Sequence, residues 1–111
     1  MGHRSITMNQ MESAVISDEE SRSQPLTISV IMPVYNGAEF IITSLPPLLA
    51  MQQRGEIMEV IVVDDGSTDR SRQIAQDLGA IVISSGGRMG PGGARNQAAA
   101  VAKGELLWFV D

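Results

Sequence analysis

Glu59-Val60-Ile61-Val62-Val63 runs directly into Asp64-Asp65-Gly66-Ser67-Thr68-Asp69. A near-continuous apolar and β-branched run, with no polar alternation, is expected of a strand covered on both faces of a parallel sheet. The polar hexad after it has two readings. It can be a turn with a helix cap, because Asp, Ser and Thr side chains accept bonds from unpaired amides. It can also be a functional pair, because adjacent carboxylates repel and one cap would satisfy a helix. Both readings end a strand at Val63 and start a helix near Asp69.

Working outward, the same texture recurs. Thr27–Val34, Ala80–Ile83 and Glu105–Val110 are further buried-strand candidates, and Ala38–Gln53, Asp69–Leu78 and Gly93–Lys103 carry apolar residues at helical spacing. The order β-α-β-α-β-α-β implies right-handed crossovers and an α/β, Rossmann-like parallel sheet. Pro46-Pro47 falls inside the first helical stretch, where each ring removes an amide and crowds the preceding turn, so a kink or break is expected there.

The chain has 111 residues, 43% apolar and 19% charged, which suits one domain and excludes two. It contains no Cys and a single His, so disulfides, a thiolate nucleophile and a His-rich zinc site are excluded. A formal charge of −5 has the wrong sign for tracking nucleic acid phosphates. Residues 1–24 hold two basic and four acidic residues and little periodic hydrophobicity, the pattern of a disordered tail before a domain at 25–111. No apolar run approaches a membrane span or a signal-peptide core, so a cytoplasmic location is expected. Ile6 stands where N-myristoylation wants Ser or Thr. The Met residues and Trp108 are read as core filling.

In an open parallel sheet, ligands bind beyond the carboxyl ends of the strands. Every unusual polar cluster of the folded part falls on that edge: Tyr35-Asn36-Gly37, Asp64-Asp65-Gly66-Ser67, the glycine-rich Gly86–Gly93, and Asp111. Each also has a local explanation. Asn36 with Glu39 resembles a capping box for the first helix, Gly86–Gly93 reads as a flexible loop, and Asp111 alone would be a surface residue. The glycine-rich stretch fits neither the Rossmann fingerprint nor the P-loop, since Arg95 and Gly93 stand where Gly and Lys would be required. Glycines before a helix still let an anion approach its N-terminus, with Arg88 or Arg95 neutralising charge.

Four ordered motifs then carry a family resemblance: Ser29-Val30-Ile31-Met32-Pro33-Val34-Tyr35-Asn36, Val60–Asp69, Gly93-Ala94-Arg95-Asn96-Gln97-Ala98, and Gly104-Glu105-Leu106-Leu107-Trp108-Phe109-Val110-Asp111. Over residues 27–111 the chain resembles the N-terminal half of the family-2 glycosyltransferases, which have the GT-A nucleotide-sugar-binding fold. The resemblance implies transfer of a sugar from a UDP- or GDP-linked donor to an acceptor hydroxyl, with Mg2+ or Mn2+ as cofactor. It implies that Pro33 and Tyr35 line the base, Asp65 accepts the base's imino hydrogen, and Arg95 lies by base or diphosphate. Asp111 would be the first Asp of the Asp-x-Asp motif, touching ribose or metal, with Asp64 and Gly66 supporting their turn.

The family's base and acceptor site lie in a later half, so the resemblance implies a truncated domain that does not turn over substrate. Any membrane association would come through that later part. The short apolar run Leu106–Val110, ending at Asp111, is expected to leave an exposed, pairing-prone edge. A second reading stays open: residues 59–111 also spell β-Asp-Asp-α-β-α-β-Asp, the pattern of a response-regulator receiver with Asp111 as phosphoacceptor. A third is an inert α/β module.

Overall fold

The computed structural model describes residues 25–111 and the backbone of the strand Arg4–Ile6. Five strands, β1 (Arg4–Ile6), β2 (Ile28–Val34), β3 (Glu59–Asp64), β4 (Ile81–Ser84) and β5 (Leu106–Phe109), form one sheet of order β1-β5-β2-β3-β4. Every pairing is parallel. The helices are α1 (Ala38–Gln53), α2 (Ser71–Leu78) and α3 (Gly90–Val101). The α/β parallel sheet expected from the alternating runs is therefore present.

Strand order dictates where the helices lie. The chain steps from β2 to β3 to β4 in one direction, then crosses back to place β5 on the far side of β2. Right-handed crossovers put helices of opposite step direction on opposite faces. Accordingly Ile41, Leu45 and Leu48 of α1 and Ala75 of α2 pack with Val30, Met32, Val60, Val62 and Trp108. Ala94 and Ala98 of α3 pack with Ile31, Ile61, Val63 and Leu107 on the reverse face. Successive strand residues alternate between these two cores, which is why the central strands read as unbroken apolar runs.

Several expectations require correction, in whole or in part. Helix α1 passes through Pro46 and Pro47 without a break. Both prolines lie on its exposed face, so the carbonyls deprived of a donor can turn to water, while Ile41, Leu45 and Leu48 keep the buried stripe. The strand β4 is not covered on both faces; its residues are exposed or half-buried because it forms an edge of the sheet. The run Leu106–Phe109 is no open edge, since β5 lies between β2 and β1. Finally, Arg4–Ile6 pairs with Leu106–Trp108, so the disordered-tail expectation for 1–24 does not hold at these three residues; the rest of that stretch lies outside the described residues. Met32 and Trp108 are core residues as expected, whereas Met58 and Met89 are exposed.

At the amino end of the strands a buried carboxylate fixes the alignment. Glu59 Oε2 accepts from Ser29 Oγ at 2.6 Å and from the Lys103 amide at 2.7 Å, and Ser29 Oγ accepts from the Gly104 amide at 2.8 Å. A side chain at position 104 would put its Cβ 2.6 Å from the Ser29 nitrogen, so only glycine lets the approach to β5 come this close.

Candidate functional site: a cavity at the carboxyl ends of the strands

Register brings the site together. Val34, Asp64 and Ser84 stand side by side across β2, β3 and β4. The residues that follow them, Tyr35, Asp65 and Ser85, therefore leave the sheet at one level. On the other side of β2, Phe109 pairs with Ile31, which carries Asp111 level with Pro33. The switch in strand order lies between β2 and β5, the place where open α/β sheets form a crevice. A cavity of about 440 Å³ occupies it, lined by Pro33, Tyr35, Asp65, Arg88, Arg95 and Asp111, with Phe40 and Pro91 adding apolar wall. All five residues picked out for binding, Pro33, Tyr35, Asp65, Arg95 and Asp111, thus line one cavity.

The turn after β3 shows how the acidic hexad divides its work. Asp64 Oδ1 accepts the Ser67 amide at 3.0 Å and closes the turn. Gly66 has φ 81, and a Cβ there would stand 3.1 Å from the Gly87 backbone, so the turn packs directly on the glycine-rich segment. Asp69 and Ser71 reach across to α1: the Gly37 amide donates to Ser71 Oγ at 2.9 Å and the Ala38 amide to Asp69 Oδ2 at 3.3 Å. Asn36, in the left-handed region at φ 48, accepts from the Thr68 and Asp69 amides at 2.8 and 3.2 Å.

The expected Asn36–Glu39 capping box is therefore replaced. Helix α1 has Gly37 at its cap and no side-chain cap bond of its own, because Asp69 and Ser71, at the start of α2, supply the acceptors in trans. The Ser71 hydroxyl and amide hold the Asp69 carboxyl below the usual carboxylate range.

Asp65 is buried, at 3% exposure, and its carboxylate is fully subscribed. Ser85 Oγ donates to Oδ1 at 2.6 Å and the Met89 amide at 2.8 Å; the Gly90 amide donates to Oδ2 at 3.0 Å and Arg88 Nη1 at 3.2 Å. The Ser85 oxygen also lies near the Gly87 carbonyl, but a hydroxyl has one proton, and the charged acceptor is the stronger claimant. These bonds, the Ser85 hydroxyl foremost, depress the Asp65 pKa against the opposing effect of burial. They also change the reading of the glycine-rich stretch. It is a loop only to Met89; Gly90–Gly93 is the first turn of α3, with Pro91 where an amide is dispensable. Asp65 holds that turn in place.

At the β5 side, Arg95 Nη2 grips the Asp111 carboxylate at 2.7 and 2.9 Å. The guanidinium lies 5.7 Å from the Phe109 ring centroid, and Arg95 Nε is buried with no acceptor. Arg88 occupies a place that sequence patterning assigned only to charge neutralisation: its guanidinium carbon is 3.5 Å from the centroid of the Tyr35 ring. Ser85, the principal donor to Asp65, carried no signal in the sequence.

The donor set of the cavity decides its fit to a divalent cation. Among the described residues there is no group of three His, Cys, Asp or Glu side chains that could hold a metal ion. Asp111 nevertheless offers one exposed carboxylate at the cavity rim. Mg2+ is commonly held by one or two carboxylates together with substrate phosphates, so the residues present fit a shared rather than a protein-only site.

The receiver reading fails on topology. A receiver's acidic-pair strand neighbours the strand that bears its phosphoacceptor, whereas here β2 separates β3 from β5. No helix of the described residues is long and apolar enough to cross a membrane.

Comparison with known proteins agrees with the architecture. The family model described as Glycosyl transferase family 2 matches residues 29–111. A Streptococcus pneumoniae serotype 4 protein named Glycosyltransferase GlyG is 36% identical over 89 residues, which are 76% of this chain and 29% of that one. Mannosyl-3-phosphoglycerate synthase from Rubrobacter xylanophilus superposes with TM-score 0.68 at 28% identity, covering 94% of this chain and 36% of the other. Glucosyl-3-phosphoglycerate synthase from Mycobacterium tuberculosis, in complex with Mn2+, uridine diphosphate and phosphoglyceric acid, gives TM-score 0.64 at 34% identity over 78% of this chain and 32% of the other. The chain spans about a third of the length of these proteins.

Proposed function

The chain belongs to glycosyl transferase family 2, and from that premise we propose that its cavity binds the nucleotide of a UDP- or GDP-linked sugar donor. The observation that carries this is the convergence of residues from four separate loops on one crevice at the strand-order switch. Tyr35, half-exposed at the end of β2, offers a flat platform for a base, with Pro33 beside it. Asp65 is the acceptor that a base N–H would use, in place of one of its four present donors. Arg95 and Asp111 stand at the far wall, where the guanidinium would meet diphosphate charge.

Asp111 is the residue that would hold Mg2+ or Mn2+, jointly with the donor's phosphates. Such an ion, when bound, offsets negative charge on a departing diphosphate. The solved relative from Mycobacterium tuberculosis, complexed with Mn2+ and uridine diphosphate, supports this part of the reading.

Transfer to a hydroxyl also needs a group to take the acceptor's proton. Of the cavity's carboxylates, Asp65 is saturated by four donors and Asp111 is paired with Arg95. Neither is available as a base, so donor binding, not turnover, is the role proposed for this chain.

Titration calorimetry with UDP and GDP in the presence of Mn2+ tests the proposal. Binding is expected for one or both, and Tyr35→Ala is expected to weaken it by about tenfold or more, the worth of one stacked base. A folded protein that shows no nucleotide heat, or one that binds unchanged after Tyr35→Ala, would overturn it.

A further inference from the structure

Arg88 makes two contacts at once. Its guanidinium carbon lies over the face of Tyr35, 3.5 Å from the ring centroid, and its Nη1 donates to Asp65 Oδ2 at 3.2 Å. A guanidinium is planar, with π surface on its face and N–H groups at its edge. A nucleobase seated as proposed above would need the same two contacts: a face on Tyr35 and an edge N–H on Asp65.

Asp65 has no spare acceptor for that second N–H. Two carboxylate oxygens offer about four lone-pair sites, and four donors already fill them. Three of those donors belong to the framework. The Met89 and Gly90 amides open α3, and Ser85 is buried at the end of β4. Arg88 differs, because its side chain is 53% exposed and its ion pair with Asp65 lies at the cavity wall. It is the donor that can leave without disturbing a helix or a strand.

We propose that Arg88 is a placeholder for the nucleobase, closing the base seat when no nucleotide is bound and vacating it by exchange when one enters. The proposal rests on the donor-binding reading of the cavity. Exchange keeps Asp65 satisfied in both states, since the base N–H replaces the guanidinium N–H as the ring replaces it on Tyr35. Its consequence is a reduced apparent affinity, because nucleotide binds only the fraction of molecules whose seat is open. An exposed cation–π contact and one partly exposed ion pair are each weak, so the reduction is severalfold, not prohibitive.

The test uses uridine, which lacks phosphate, so that any attraction of Arg88 for a diphosphate does not enter. Tyr35 is the only tyrosine of the chain, which makes its ring carbon signals a single-site probe in labelled protein. Uridine is titrated into the chain and into Arg88→Ala and Arg88→Lys at low and high salt, with UDP titrated in parallel. The expected result is a uridine affinity about threefold to tenfold tighter in Arg88→Ala. Arg88→Lys should fall between, keeping the charge without the flat face. Added salt should tighten uridine binding to the unsubstituted chain, by loosening the Arg88–Asp65 pair, and leave Arg88→Ala unmoved. The Tyr35 ring signals should shift in ligand-free Arg88→Ala. Equal or weaker uridine binding by Arg88→Ala overturns the placeholder and leaves the donor-binding reading standing. Absence of binding of both uridine and UDP to every form overturns both.

Discussion

Asp65 concentrates at one carboxylate the tie between the glycine-rich segment and the sheet. Its oxygens collect the Ser85 hydroxyl, two amides at the start of α3 and the Arg88 guanidinium, and those bonds hold the ionised form below its ordinary pKa. Because the folded pKa is depressed, the stabilisation is fully present above the unfolded value, about 3.9, and is lost as pH falls through the folded one. Asp69, lowered by Ser71, adds to the same limb. Urea midpoints measured between pH 6 and pH 3 should therefore fall on acidification from about pH 5 downward. Asp65→Asn should lower the midpoint at pH 6 and flatten the acid limb, because the amide cannot lose a charge it does not carry. An acid limb of unchanged steepness in Asp65→Asn would show that these bonds do not set the pKa. The importance of Asp65 was legible in the sequence, as one of two adjacent carboxylates at a strand end. Its four partners were not, because each comes from a segment at least 20 residues further along the chain.

Elements were legible where local chemistry decides them and illegible where a neighbour does. Helix α1 was found from its apolar spacing, but its cap was assigned to Asn36 and Glu39, whereas the acceptors come from Asp69, after β3, and Ser71, the first residue of α2. The two prolines were expected to kink or break it, because propensity takes no account of which face they occupy; on the exposed face they do not break it. The amino end of β5 is decided by contact too. Gly104 sits where a Cβ would meet the Ser29 nitrogen at 2.6 Å, and neither strand can retreat without losing the Glu59 bonds that join β2, β3 and the approach to β5. Gly104→Ala should destabilise the fold by about 1–3 kcal/mol through overpacking, read as a lower urea midpoint. Nucleotide affinity should be unchanged, since the substitution lies at the opposite end of the sheet from the cavity. A midpoint within about 0.3 kcal/mol of the parent would mean that the backbone there relaxes freely.

Across the molecule, stability and function are set at different depths of one sheet. The four buried-strand candidates looked alike in sequence, and only pairing order separates them: β2 and β3 are covered by helices on both faces and flanked by strands on both sides, while β4 is an edge. Order is non-local information, fixed by a crossover that returns past β2, and it also opens the crevice in which Tyr35, Asp65, Arg95 and Asp111 meet. The opening free energy of a backbone amide follows how much packed structure must come apart to expose it. Amide hydrogen exchange should accordingly be slowest at Val30–Met32 and Val60–Val63 and much faster at Ile81–Ser84. The Met89 and Gly90 amides, donors to a buried carboxylate, should be slower than the rest of the glycine-rich loop and slow further when nucleotide is added. Protection of β4 equal to that of β3 would mean that another chain covers this edge in solution. An unaltered rate at Met89 and Gly90 in the presence of saturating nucleotide would place the ligand away from Asp65.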